Sequence, residues 1–221
     1  INSVVGGGGT TSNVKFVTID SLGIGTMRFN VFRAVVLEIP NPNGGVYAGV
    51  VGLPVFHNAT MRIDYPRKTL RVQSARLDSN ACNRPIEGAD LYSIGVFTPA
   101  TTIVNVAGRD ANVLVDSGSD NFLDLDSTFA NLPFTGPLTG GTTGGVSGTE
   151  ATQIGILNGA TILGCLQWNN QRITLGQSKI LGMGAAGWQT LELLIDQRSK
   201  LMRLQKPDCP PNQDCINPNP S

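Results

Sequence analysis

The chain repeats itself, and that constrains its fold more than any other feature. Residues 50–72 read VVGLPVFHNATMRIDYPRKTLRV, and residues 180–204 read ILGMGAAGWQTLELLIDQRSKLMRL. Each copy opens on two aliphatics and a glycine. Each closes on Ile-Asp, a basic turn and an alternating strand. Ile63, Asp64, Lys68 and Arg71 match Ile195, Asp196, Lys200 and Arg203 without a gap. The likeness extends upstream, where Gly8-Gly9-Thr10-Thr11 matches Gly140-Gly141-Thr142-Thr143. Thr11 lies 41 positions before Gly52, and Thr143 lies 39 before Gly182. Strands such as Lys15–Ile19 and Thr152–Ile156 fall in between. Two related lobes are therefore expected.

The building material is β. Gly numbers 27 and Pro 13, charged residues are only 14%, and Val, Ile, Thr and Leu dominate the apolar runs, a pattern of short strands and tight turns. At 40% hydrophobic, 221 residues can bury a core. A formal net charge of zero argues against a nucleic-acid partner. No apolar run approaches the roughly 20 residues that span a bilayer, so no membrane partner is expected. The first residue is Ile1, so the chain reads as processed or trimmed. Of the four cysteines, Cys209 and Cys215 bracket a polar, Pro-rich segment that a disulfide can close. Zinc-type spacing is absent, and the only histidine, His57, stands far from any cysteine. Disulfides imply an oxidising, secreted or periplasmic setting, and four unrelated thiols are the alternative.

The lobes are unequal. Residues 1–75 form the rear of the first, 76–90 a polar linker, 91–205 the second, and 206–221 a Pro/Asn-rich tail. The second has an extra front section, Leu91 to about Gly136. It holds an alternating strand over Ala100–Ala107, a Gly-Arg-Asp turn at 108–110, and an apolar strand over Asn112–Val115 that runs into Asp116-Ser117-Gly118-Ser119. Here an apolar strand delivers a carboxylate into a sharp turn. Gly118 permits close backbone approach and supplies an N–H. Ser117 can hydrogen-bond a neighbouring turn, and the Ser119 hydroxyl can bond the carboxylate and favour its ionised form.

An Asp-Ser-Gly tripeptide is common by chance. This one follows an apolar strand, precedes Asn121-Phe122-Leu123, and is followed about 60 residues later by Ile180-Leu181-Gly182. That order resembles a lobe of the aspartic peptidases, the pepsin and retroviral-protease group. In the first lobe only the later part matches, with Tyr47-Ala48-Gly49-Val50-Val51-Gly52-Leu53 similar to the aliphatic-Gly segment. The resemblance implies an all-β, bilobal fold of barrel-like lobes with a substrate cleft between them. It implies an aspartic endopeptidase with Asp116 catalytic, Ser117, Gly118 and Ser119 supporting its turn, and no metal or cofactor. It implies a second aspartate facing the first, the two sharing a proton. The 25-residue spacing from Asp116 to Gly141, applied before Gly9, falls ahead of Ile1. The expected supplier of that aspartate is therefore the protein's own cleaved N-terminal segment, bound through sheet pairing. A peptidase-like binding or inhibitor protein without catalysis is the alternative, and a homodimer pairing Asp116 with its own copy a more remote one. The substrate would be an extended polypeptide bound as a strand.

Other acidic and polar residues read as structural. Asp20, in Ile19-Asp20-Ser21-Leu22-Gly23, has an extra leucine that spoils the catalytic turn. Asp64 and Asp196 occupy one repeat position and read as turn caps. Asp120, Asp124 and Asp126 lack the glycine and distal glutamate of a calcium loop and read as solvated turn residues. His57 reads as a surface histidine, and Asn58-Ala59-Thr60 as a formal glycosylation sequon. Residues 136–148 lack the Lys-Ser/Thr ending of a phosphate loop and read as a flexible hairpin over the cleft.

Overall fold

A computed structural model describes residues 3–6, 9–12, 15–36, 51–88, 99–119, 121–145, 148–182 and 190–209. The described residues form an all-β molecule whose only helices are single 3-10 turns at Leu53–Phe56 and Ser127–Phe129. Two hairpins come first. β1 (Ser3–Gly6) pairs with β2 (Gly9–Ser12), and β3 (Lys15–Ile24) pairs with β4 (Met27–Val36). β5 (Thr60–Asp64) and β6 (Thr69–Gln73) make a third, and the short β7 is Arg84–Pro85. The remainder are β8 (Thr101–Val106), β9 (Arg109–Val115), β10 (Leu123–Asp126), β11 (Thr139–Gly145) and β12 (Gly148–Ile156), then β13 (Ala160–Leu163), β14 (Leu166–Asn169), β15 (Arg172–Gly176), β16 (Ile180–Leu181), β17 (Glu192–Asp196) and β18 (Leu201–Gln205).

A nine-stranded sheet runs β11-β12-β15-β10-β16-β9-β8-β13-β14. Alternation sets its inner face. Thr102, Val104 and Val106 of β8 and Ala111, Val113 and Val115 of β9 are buried, while their neighbours are exposed or half-buried. The turn between these strands is Ala107-Gly108, both at positive φ (48° and 84°), which suits the twist of a two-residue hairpin. It lies ahead of the expected Gly-Arg-Asp turn, because Arg109 already pairs with Val106.

The repeat forms a second sheet, ordered β6-β5-β17-β18-β7. The two copies meet edge to edge and antiparallel, with Ile63 opposite Leu193, Met61 opposite Ile195, and Arg62 opposite Leu194. Arg62 and Leu194 hold the same repeat position, so a local twofold axis passes between them. Each copy turns back with the same register, Ile63 to Leu70 and Ile195 to Met202. Lys68 and Lys200 carry the same left-handed φ, 53° and 52°. Asp64 and Asp196 both cap their turns. Asp64 Oδ1 accepts from Arg67 N (2.9 Å), and Asp196 Oδ1 accepts from Arg198 N (3.1 Å).

Arg62 and Glu192 break the symmetry together. Their repeat mates are Leu194 and Thr60, yet the two sit diagonally on one sheet face and bind each other. Arg62 Nη2 reaches both carboxylate oxygens of Glu192, at 2.8 and 2.5 Å, and Gln205 Nε2 donates to Glu192 Oε2 at 3.2 Å.

The stretch expected as a polar linker is packed rather than tethered. Leu77, Cys82, Asn83 and Ile86 are buried. Leu77 N donates to Asp196 Oδ2 (3.0 Å), Ile86 N to Lys200 O (2.9 Å), and β7 extends the repeat sheet beyond β18. A Cys82–Cys165 disulfide, with a Cα–Cα distance of 4.6 Å, fastens this segment to the β13–β14 turn of the large sheet. Cys209 is also disulfide-bonded, and Cys215 lies outside the described residues.

Candidate active site

β9 carries Asp116 at its end, and the chain leaves the turn along β10. Ile180-Leu181 threads between these two arms. β16 runs parallel to β9, with Leu181 opposite Val115, and antiparallel to β10, with Leu181 opposite Leu123. Three backbone bonds close the arrangement: Leu114 N to Lys179 O (2.9 Å), Asp116 N to Leu181 O (3.0 Å), and Gly182 N to Phe122 O (3.0 Å). Gly182 is required by contact. A Cβ there would lie 2.3 Å from Asn121 O and 2.5 Å from Ser119 Cβ. The Phe122 ring packs against the buried Trp168 with centroids 5.2 Å apart, which backs the turn with apolar mass.

Asp116 is half-buried, and Gly118 N donates to its Oδ1 at 2.8 Å. Ser117 and Gly118 are exposed. Ser119 departs from its expected bond: its hydroxyl accepts from Asn121 N at 3.4 Å and has no hydrogen bond to the Asp116 carboxylate. No hydrogen bond among the described residues joins Asp116 to a second carboxyl. Asp20 is exposed within β3, not in a turn.

The glycine-rich stretch forms the β11–β12 hairpin, in register from Thr139 opposite Ile154 to Gly145 opposite Gly148. Asn121, five residues past Asp116, reaches this hairpin through its Nδ2, 3.4 Å from Thr143 Oγ1.

Near the turn one residue escaped sequence reasoning and another was misread. Tyr65 follows the Asp64 cap, and its hydroxyl is buried without a hydrogen-bond partner. Burial and, secondarily, the negative charge of Asp116 hold its phenol well above the usual tyrosine range. Its repeat mate is Gln197, so periodicity marked the position as a turn and nothing more. Asp124 corrects the expectation of a solvated turn residue. It is only 6% exposed, because β10 lies inside the sheet between β15 and β16. Burial raises its carboxyl above the ordinary value, against hydrogen bonds from Asn121 and Thr174, and the charges of Glu150 and Asp116 add to the rise.

Asp126 caps the Ser127–Phe129 turn and pairs with Lys179 at 3.1 Å, and Thr128 holds its carboxyl below the ordinary range. Asp120 lies outside the described residues. His57 is exposed, with Asn58 Nδ2 2.8 Å from its Nε2. Among the described residues no group of three or more His, Cys, Asp or Glu side chains is arranged to hold a metal, and no helix is long and apolar enough to cross a membrane. No protein-family model matches the chain, and no curated protein matches it.

Proposed function

We propose that this chain is an aspartic-type endopeptidase in which Asp116 is one member of a carboxyl dyad. The observation that carries the reading is the strand crossing at Asp116. β16 passes between the two arms of the loop that holds the aspartate, and Gly182 sits against the turn with no room for a side chain. Such a loop fixes a half-exposed carboxylate from both sides, and catalysis by a positioned acid or base needs that rigidity. The register of the repeat sheet adds support, since a local twofold axis is what an arrangement of two facing lobes requires.

In this reading the molecule is bilobal and binds an extended polypeptide in the cleft, with the β11–β12 hairpin beside it. One aspartate removes a proton from water as the water oxygen bonds to the peptide carbon. The other donates a proton to the carbonyl oxygen. Collapse of the tetrahedral diol then breaks the C–N bond: one carboxyl of the dyad gives a proton to the leaving amine and the other takes one from a diol hydroxyl, which restores the shared proton. In this reading the second aspartate faces Asp116 across the cleft and shares a proton with it. A disulfide-bonded chain suits a secreted or periplasmic site of action.

The absence of a second carboxyl bonded to Asp116 among the described residues favours a second reading, a binding or inhibitor protein of the same architecture. One experiment separates them. The protein is incubated with an unfolded polypeptide from acid to neutral pH, and the fragments and intact masses are read by mass spectrometry. Peptidase function predicts cleavage in acid that resists chelators, and loss of cleavage in folded Asp116→Asn. Full activity in Asp116→Asn overturns the assignment. Peptide binding without cleavage supports the inhibitor reading.

A further inference from the structure

Asp124 is a carboxyl that the proposed chemistry does not use. It is 6% exposed, and its Oδ1 is buried with no hydrogen-bond partner. Thr174 on β15 and Asn121 after the Asp116 turn hydrogen-bond to the carboxyl. Asp124 lies opposite Thr174, and Thr174 lies opposite Ile154 of the hairpin strand β12. These three residues therefore share one sheet face, and Thr152 and Glu150, two and four residues back along β12, share it too. The Thr152 hydroxyl is likewise buried without a partner. Asn121 also reaches Thr143 of β11 at 3.4 Å. Both strands of the hairpin are thus connected to the surroundings of one buried carboxyl.

The charges that act on Asp124 are Glu150 on β12 and Asp116 on the turn, both negative. Lys179, beside β16, is 3.1 Å from Asp126. Ile180, opposite Asp124 on β16, brings no charge. Ionising Asp124 in place adds a third negative charge, and its buried Oδ1 has no hydrogen-bond donor to stabilise that charge. Moving the hairpin away lets water reach it.

We propose that Asp124 is a proton-operated latch under the β11–β12 hairpin: uncharged it lets the hairpin close on β10 and β15, and ionised it drives the hairpin open. The latch does not depend on the peptidase reading, because it concerns hairpin opening and not cleavage. The sign follows from burial. The closed state binds the Asp124 proton more tightly than the open state, so closure is favoured at low pH and weakens as pH rises toward the closed-state value.

Hydrogen exchange tests it. Protection of the amides of Thr139–Gly145 and Gly148–Ile156 is measured across acid to neutral pH, corrected for intrinsic rates and compared with β17 and β18 in the same sample. In the wild type, hairpin protection falls by up to about tenfold per pH unit through the Asp124 titration while β17 and β18 hold steady. Asp124→Asn, nearly the same shape and never ionised, removes the pH dependence, and Asp124→Leu does the same. The carboxyl carbon shift of Asp124 in the wild type must titrate over the same range. Unchanged hairpin protection across pH in the wild type overturns the proposal. So does the same loss persisting in either folded variant, or a carboxyl titration that falls outside the range of the opening.

Discussion

Glu192→Leu removes the carboxylate at the centre of the repeat sheet. The Arg62 side chain is 14% exposed and that of Glu192 is 1% exposed, so the substitution strands a guanidinium largely out of water. Removing one member of a buried pair typically costs about 3–5 kcal/mol, most of it the penalty of the charge left behind. Arg62→Leu strands Glu192 instead. Gln205 at 3.2 Å and Arg67 Nη1 at 3.9 Å still face that carboxylate, so its cost falls at the lower end. The double variant strands neither charge and places leucine on both sides of the axis, since Leu194 already faces position 62. Its cost should be about 1 kcal/mol or less, because apolar replacement of a buried pair is often neutral. The coupling between the sites, the two single losses less that of the double variant, is therefore about 5 kcal/mol or more. Urea unfolding followed by fluorescence reads it, with buried Trp168 as a reporter. In a chain of this size each kcal/mol moves Tm by about 2–4 °C, so either single variant is conspicuous in a thermal scan. If the two single losses simply add in the double variant, the pair is not the coupled element described here.

Acid should weaken this same sheet. Burial would raise Asp196, but Leu77 N, Arg198 and Ser199 outweigh it and hold the carboxyl below its ordinary 3.8; in Asp64 the Arg67 contacts likewise prevail over burial. A lowered folded-state value means stability that is complete above the ordinary value and lost as pH falls through the folded one. Acid unfolding curves should therefore flatten in Asp196→Asn, and an unchanged acid limb in that variant counts against the assignment. Removing the Cys82–Cys165 bridge, which spans 83 residues, should cost up to about 4.5 kcal/mol by loop-closure entropy, read as a drop in urea midpoint of a folded Cys82→Ala/Cys165→Ala protein.

The repeat was legible because it is local chemistry written twice. Ile-Asp followed by a basic turn encodes a hairpin in either copy, down to the left-handed lysine and the aspartate that caps the turn. Asp116 was legible because an apolar run ending in Asp-Ser-Gly fixes where a strand stops and a carboxyl emerges. The acidic Asp124 was misread because local polarity says nothing of which strands flank a residue. β10 is interior only because β15 and β16, some fifty residues away in the chain, close on either side of it. Residues 76–88 looked like a tether for the same reason, since the groups that hold them belong to β17, β18 and the turn before Leu166. Nothing in the repeat marks Arg62 and Glu192 as partners. Only the antiparallel meeting of the two copies makes them neighbours, because a charge can be buried there only when the opposite charge arrives from a strand 130 residues away.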